Sequence, residues 1–103
     1  MIFTSDNFNK EVLQSDIPVV VDFYADWCGP CKMLSPAVEA MESIFAGKVK
    51  VGKLNVDENG DIAERYGVMS IPTVIFFKGG EIAGTSVGLI TKDVLQSKIE
   101  QIL

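Results

Sequence analysis

Histidine is absent from these 103 residues, cysteine occurs twice and tryptophan once. Each scarcity excludes a class of chemistry. A structural zinc site wants four Cys or His ligands, so this pair of cysteines could hold zinc only with a second chain or with carboxylates. A c-type haem attachment needs His directly after the second cysteine, and Lys32 stands there. Basic residues are also few: 9 Lys and Arg against 14 Asp and Glu leave a net charge of −5, which opposes a phosphate-backbone partner, so nucleic acid is not expected. The longest apolar runs, around Val19 to Val21 and Val74 to Phe77, are far too short to span a bilayer. No G-x-G-x-x-G follows a strand and no P-loop occurs, so electrons are not expected to come from a nucleotide bound by this chain. Met1 to Asp6 carries neither a basic stretch nor a long apolar segment, and no secretory signal is expected. Two cysteines would be poor use of an oxidising compartment, where small domains carry several bridges, so a reducing, cytoplasmic setting is expected.

What the chain does have is concentrated in Trp27-Cys28-Gly29-Pro30-Cys31-Lys32, which holds both cysteines and the only tryptophan. A β-branched and aromatic run, Ile17 to Ala25, precedes it, and a helical pattern follows. The cysteines therefore cap a strand-to-helix junction, with Pro30 in the first helical turn, where its fixed φ fits and its missing N–H costs nothing. Free N–H groups and the positive end of the helix dipole favour an anion at Cys28. A thiolate there is the nucleophile of disulfide exchange. Two buried cysteines placed by chance would not explain the Gly-Pro between them at such a junction.

A chain of 103 residues with 48% hydrophobic content supports one domain, residues 1–103, with a real core. Ile2-Phe3 reads as a short edge strand. Thr4 or Ser5 is placed to cap a helix that buries Phe8, Val12 and Leu13, with Asn7 and Lys10 facing water. After the cysteines, Leu34, Ala37, Val38, Met41 and Phe45 recur at helical spacing, with a kink expected at Pro36 and an end near Gly47. Val49 to Val56 alternates as a second internal strand, Asn59-Gly60 opens a short helix through Tyr66, and Gly67 ends it. Gly79-Gly80 joins two further strands as a hairpin. Thr91 caps a last helix whose stripe is Val94, Leu95, Ile99, Ile102 and Leu103. The order β-α-β-α-β-α-β-β-α implies an α/β fold, a mixed sheet sandwiched by helices.

Two charges interrupt apolar strands. By period two, Asp22 shares a face with Val20 and Tyr24, and Lys53 with Val49 and Val51, so both point toward covered faces. Burial raises a carboxyl pKa and a nearby ammonium lowers it. Two readings stay open: a buried ion pair or backbone-tied carboxyl, and a functional group beside a nucleophile.

The hexapeptide, with Asp22-Phe23-Tyr24-Ala25 before it and Met33 to Pro36 after it, resembles the thioredoxin family. The likeness runs on through Lys53 to Asp57, Tyr66-Gly67-Val68, Ile71-Pro72-Thr73, Phe77 to Glu81 and Val87-Gly88. Tyr24 departs from it, since many members carry tryptophan there, and Met69-Ser70 departs in a way that bears on partner preference. The resemblance implies a five-stranded sheet of order 1-3-2-4-5 with four helices. It implies a protein-disulfide reductase and electron carrier in cell redox homeostasis, working through a redox-active Cys28–Cys31 pair without a cofactor or metal. Cys28 is then the nucleophile and Cys31 the resolving thiol, with Gly29 and Pro30 between them. Asp22, beneath Cys31, is the proton acceptor, and Lys53 tunes it. A cis Ile71–Pro72 bond is implied to face the dithiol, and Trp27, Gly29, Pro30, Ile71, Val87 and Gly88 to form an apolar substrate surface. The implied partners are thioredoxin reductase or an equivalent donor, and disulfide-containing proteins, met by a monomer. The alternative is a binding subunit of the same fold whose partner contacts matter more than turnover.

Overall fold

Strand β2, Val19–Tyr24, is buried on both faces along nearly its whole length, as its unbroken apolar run requires. The computed structural model, which describes residues 1–103, places it at the centre of a five-stranded sheet of order β1-β3-β2-β4-β5. β1 is Ile2–Phe3, β3 Lys50–Asn55, β4 Thr73–Lys78 and β5 Glu81–Val87. β3 runs parallel to β1 and β2, whereas β4 is antiparallel to β2 and β5. The β4–β5 connection is the tight Gly79-Gly80 turn, and both glycines take positive φ. Between Phe76 and Phe77 the register shifts, so that Phe76 pairs with Gly84 and Phe77 with Ile82, leaving Ala83 as a bulge.

Alternation along β2 divides the core. Val19, Val21 and Phe23 join Phe3, Phe8, Val12, Leu54, Ile62, Ile75 and Phe77 on one face. Val20 joins Leu34, Val38, Met41, Val51, Val74, Leu95 and Ile99 on the other, under helices α1 (Gly29–Ile44) and α3 (Lys92–Glu100). The third α-helix, α2, spans Gly60–Arg65. α1 continues through Pro36, which has no N–H for the Lys32 carbonyl. Gly47 takes positive φ in the turn after it.

Three local expectations need correction. The first helix is a π-helix, Asn9–Leu13, in which the Gln14 N–H bonds the Asn9 carbonyl. Its wider turn aligns Phe8 with Leu13 and brings both onto the core that holds Val12. Asn7 is half-buried rather than turned wholly to water: its carboxamide oxygen accepts the Thr4 N–H at 2.8 Å while the Thr4 hydroxyl accepts the Asn7 N–H at 3.2 Å, a reciprocal cap. Of the stripe expected on α3 and just beyond it, Leu95 and Ile99 are fully buried and Ile102 packs on the same core half-buried, whereas Val94 and Leu103 are exposed. Residues four apart share a helix face, and Val94 lies a step away from it.

Gly52 in β3 leaves room for its neighbour strand. A Cβ there would lie 2.6 Å from the Met1 carbonyl oxygen and 2.7 Å from Phe3 Cε2. Gly52→Ala is therefore expected to cost about 1–3 kcal/mol by overpacking, seen as a lower urea midpoint at unchanged slope. A midpoint equal to that of the parent would show that β1 yields freely.

Candidate active site

The carboxyl end of β2 passes through Ala25 to Cys28, which is the N-cap residue of α1 with extended backbone angles. The Cys28 and Cys31 sulfurs form a disulfide across one helical turn, with their Cα atoms 5.2 Å apart. The Cys31 N–H, one of the helix-start donors without a backbone acceptor, points at Cys28 Sγ at 3.2 Å. Gly29 and Pro30 occupy the first two helical positions and are exposed. Exposure barely separates the two cysteines, at 4% and 2%. Position does. Cys28 Sγ lies 3.9 Å from the carbonyl oxygen of Ile71, on the side of the loop before β4, whereas Cys31 lines a cleft with Tyr24, Ser35 and Lys53.

The Ile71–Pro72 bond is cis, and Ile71 packs against the Ala25, Cys28 and Cys31 cluster. Gly88, at φ +96°, donates its N–H to the Pro72 carbonyl at 2.8 Å, which ties the end of β5 to this loop. Trp27, next to Cys28 in the chain, is 71% exposed, Val87, in register with Thr73, is 65% exposed, and Met69, two residues before Ile71, is 95% exposed. The Trp27 indole N–H bonds Asp57 Oδ2 at 2.9 Å and so fixes the ring beside Cys28. A shallow depression lined by Tyr66, Val68, Met69, Thr73 and Val87 adjoins them.

That cleft, about 290 Å³, is lined by Tyr24, Ala25, Asp26, Cys31, Lys32, Ser35 and Lys53. Asp22 is fully buried on the α1 side of the sheet, in register with Lys53 on β3 and Val74 on β4. Neither of its carboxyl oxygens has a hydrogen-bond partner. Burial pushes its pKa up from 3.8 to about 6, although the Lys53 charge pulls the other way. The readings of an ion pair or a backbone-tied carboxyl are thus removed. Lys53 instead donates to Ser35 Oγ at 2.8 Å and stacks over the Tyr24 ring at 4.4 Å. The Tyr24 hydroxyl pKa is raised, by burial first and then by the Asp26 charge. No group of three or more His, Cys, Asp or Glu side chains is disposed to hold a metal ion.

A sequence model of the thioredoxin family matches residues 1–101. The chain belongs to the thioredoxin family. It is 53% identical over 92 residues to the thioredoxin of Rickettsia felis, covering 89% of this chain and 88% of that one. It is 47% identical over 98 residues to thioredoxin 1 of a Nostoc species, covering 95% and 92%. A chloroplastic thioredoxin M4 from Arabidopsis thaliana is 45% identical over 100 residues, covering 97% of this chain and 52% of that one. Like other thioredoxins it is a thiol-disulfide oxidoreductase, a protein-disulfide reductase whose redox-active element is the Cys28–Cys31 pair.

The structure brings Trp27, Cys28, Gly29, Pro30, Cys31, Ile71 and Pro72 together, with Val87 and Gly88 next to Thr73 and Pro72. Ser35 and Asp57 escaped the sequence reading. Ser35 follows Cys31 by four residues and so shares its helix face, a signal that was available. Asp57 lies in a loop whose path no periodicity reveals.

Proposed function

We propose the following division of labour in this thioredoxin. Cys28, as thiolate, attacks one sulfur of a substrate disulfide: a Cys28–substrate S–S bond forms, the substrate S–S bond breaks, and the departing sulfur keeps the electron pair. Cys31, after giving its proton to Asp22, attacks Cys28 Sγ, re-forms the internal disulfide and releases the second substrate thiolate. The substrate gains two electrons and the thioredoxin loses them, so a separate thioredoxin reductase or equivalent donor must restore the dithiol. The observation that supports these roles is the asymmetry of the pair, with Cys28 at the helix cap facing the Ile71 loop and Cys31 facing the cleft. A carboxyl with a pKa of about 6 is suited to accept a proton near neutrality.

Substrates dock, on this reading, as an extended segment against Ile71, with Trp27, Gly29, Pro30, Pro72, Val87 and Gly88 as an apolar collar that reads little side-chain detail. Trp27, Gly29, Pro30 and Val87 are the exposed part of the collar, over a buried Pro72, and the exposed, flexible Met69 lies next to it in the chain, which suits many partner shapes. Residues 1–103 act as one domain and as a monomer, since one chain supplies every group in the scheme. The setting is a reducing compartment, the cytoplasm, where the protein carries electrons and maintains thiol balance; both cysteines serve the redox pair and none is spent on a structural bridge. No helix is long and apolar enough to cross a membrane.

The roles of the two thiols are tested by brief iodoacetamide treatment of the reduced protein followed by peptide mapping. Cys28 is expected to carry most of the label, because the helix-cap thiol ionises first. Predominant labelling of Cys31 would reverse the assignment.

A further inference from the structure

The Lys53 ammonium is held by two groups that are not its charge partner. Asp22 lies opposite it in register on the neighbouring strand and on the same face of the sheet, yet the two make no ion pair within 4.0 Å, and the Asp22 oxygens bond nothing. A buried carboxyl with two free oxygens next to a lysine normally draws the ammonium in. Here Ser35 Oγ accepts from Lys53 Nζ at 2.8 Å, and the Tyr24 ring faces the same nitrogen at 4.4 Å. Both contacts lie in the cleft that Cys31 lines, and Ser35 sits one turn along α1 from Cys31.

We propose that Ser35 is a positioning residue for the resolving step: its hydroxyl, with the face of Tyr24, keeps the Lys53 ammonium in the cleft and out of ion-pair contact with Asp22. The proposal rests on the reading of Asp22 as the acceptor of the Cys31 proton. An ammonium in direct contact would hold Asp22 ionised and make it a weaker base, whereas one kept at a distance tempers the cost of the buried charge without taking away the proton affinity. The other groups around Asp22 do not replace this control. β4 presents neutral Val74 in register with Asp22, and the cleft that holds the Lys53 ammonium carries two further charged groups, Asp26 and Lys32, both exposed, beside Cys31 and the Tyr24 ring.

Ser35→Ala is suited to the test, since alanine is the better helix former and the fold should be kept. The Asp22 carboxyl is titrated by carbon-13 NMR in the oxidised protein, in the parent, in Ser35→Ala, in Lys53→Met and in the double variant. Release of the ammonium in Ser35→Ala is expected to lower the Asp22 midpoint by about one pH unit, the effect of an opposite charge brought to contact distance. In the Lys53→Met background the same substitution should leave the midpoint in place. An unchanged or raised midpoint in Ser35→Ala overturns the proposal, and so does a downward shift that persists without Lys53. The acidic limb of the pH profile for kcat/KM in insulin reduction is the second readout. A limb that follows the carboxyl supports the whole scheme. If the carboxyl shifts and the limb does not, Ser35 still positions Lys53, and the role given to Asp22 is what fails.

Discussion

Replacing Cys28 with serine is expected to abolish catalysed reduction of insulin, leaving only the rate that dithiothreitol gives alone. A serine hydroxyl at the α1 cap meets the same Cys31 N–H and the same helix dipole as the cysteine, but it does not ionise near neutrality and forms no bond to sulfur that a second thiol can open. Cys31→Ser should behave differently. Its first exchange is intact, so the protein consumes a single equivalent of substrate disulfide and then stalls as a mixed disulfide through Cys28, because no neighbouring thiol completes the second exchange. Mass spectrometry of the intact protein after mixing reads both outcomes. Turnover above background in Cys28→Ser would sink the assignment of the nucleophile. Absence of turnover in the parent protein would instead favour a fold used as a binding subunit.

Asp22→Asn should separate stability from catalysis. The carboxyl titrates near 6 in the fold against 3.8 ordinarily, because burial disfavours its charge. The unfolded chain therefore gives up this proton first, and between those values the folded state binds more protons than the unfolded one. Stability from this group is then complete below pH 4, declines as pH rises toward 6 and stays lower above it, by about 3 kcal/mol at 1.36 kcal/mol for each pKa unit. Asn cannot ionise, so the variant should lose that decline and be more stable than the parent at pH 8. It also lacks the proton acceptor, and turnover at neutral pH should fall on the order of 10²-fold, the usual scale for removing a general base. Urea midpoints at pH 4 and pH 8, with steady-state rates, check both. A variant less stable than the parent at pH 8 would mean that Asp22 belongs to a favourable buried network.

Much of this was legible because the chemistry-bearing residues lie in strongly patterned surroundings. The run from Val19 to Tyr24 has no polar break except Asp22, so its burial, and the oddity of that one charge, could be read directly. Capping by Thr91 and the turn at Gly79-Gly80 follow from local backbone demands. Sheet order and the cis bond at Pro72 came from the family likeness, since neither periodicity nor composition encodes which strands become neighbours. What stayed hidden depends on side-chain choice after folding. Asn7 is polar and was assigned to water, but a nearby Thr4 N–H offered it a partner. Lys53 lies in register with Asp22, near it as the family likeness implies, but where its ammonium rests is decided by a serine and an aromatic ring from two other elements.

The sheet margins have a consequence for a protein that reduces disulfides in other proteins. A long flat margin would let a client's strand add on and would seed edge-to-edge growth into aggregates. One margin, β1, is two residues long. The other, β5, is distorted at Ala83 by the bulge opposite Phe76 and Phe77 and begins with the charged Glu81. Both margins thus discourage templating, and under the docking mode proposed above the backbone beside Ile71, 3.9 Å from Cys28 Sγ, is left as the place where an extended client meets the disulfide. Contact is then confined to the short segment around the reacting sulfur, and the client leaves without having been recruited into a growing sheet.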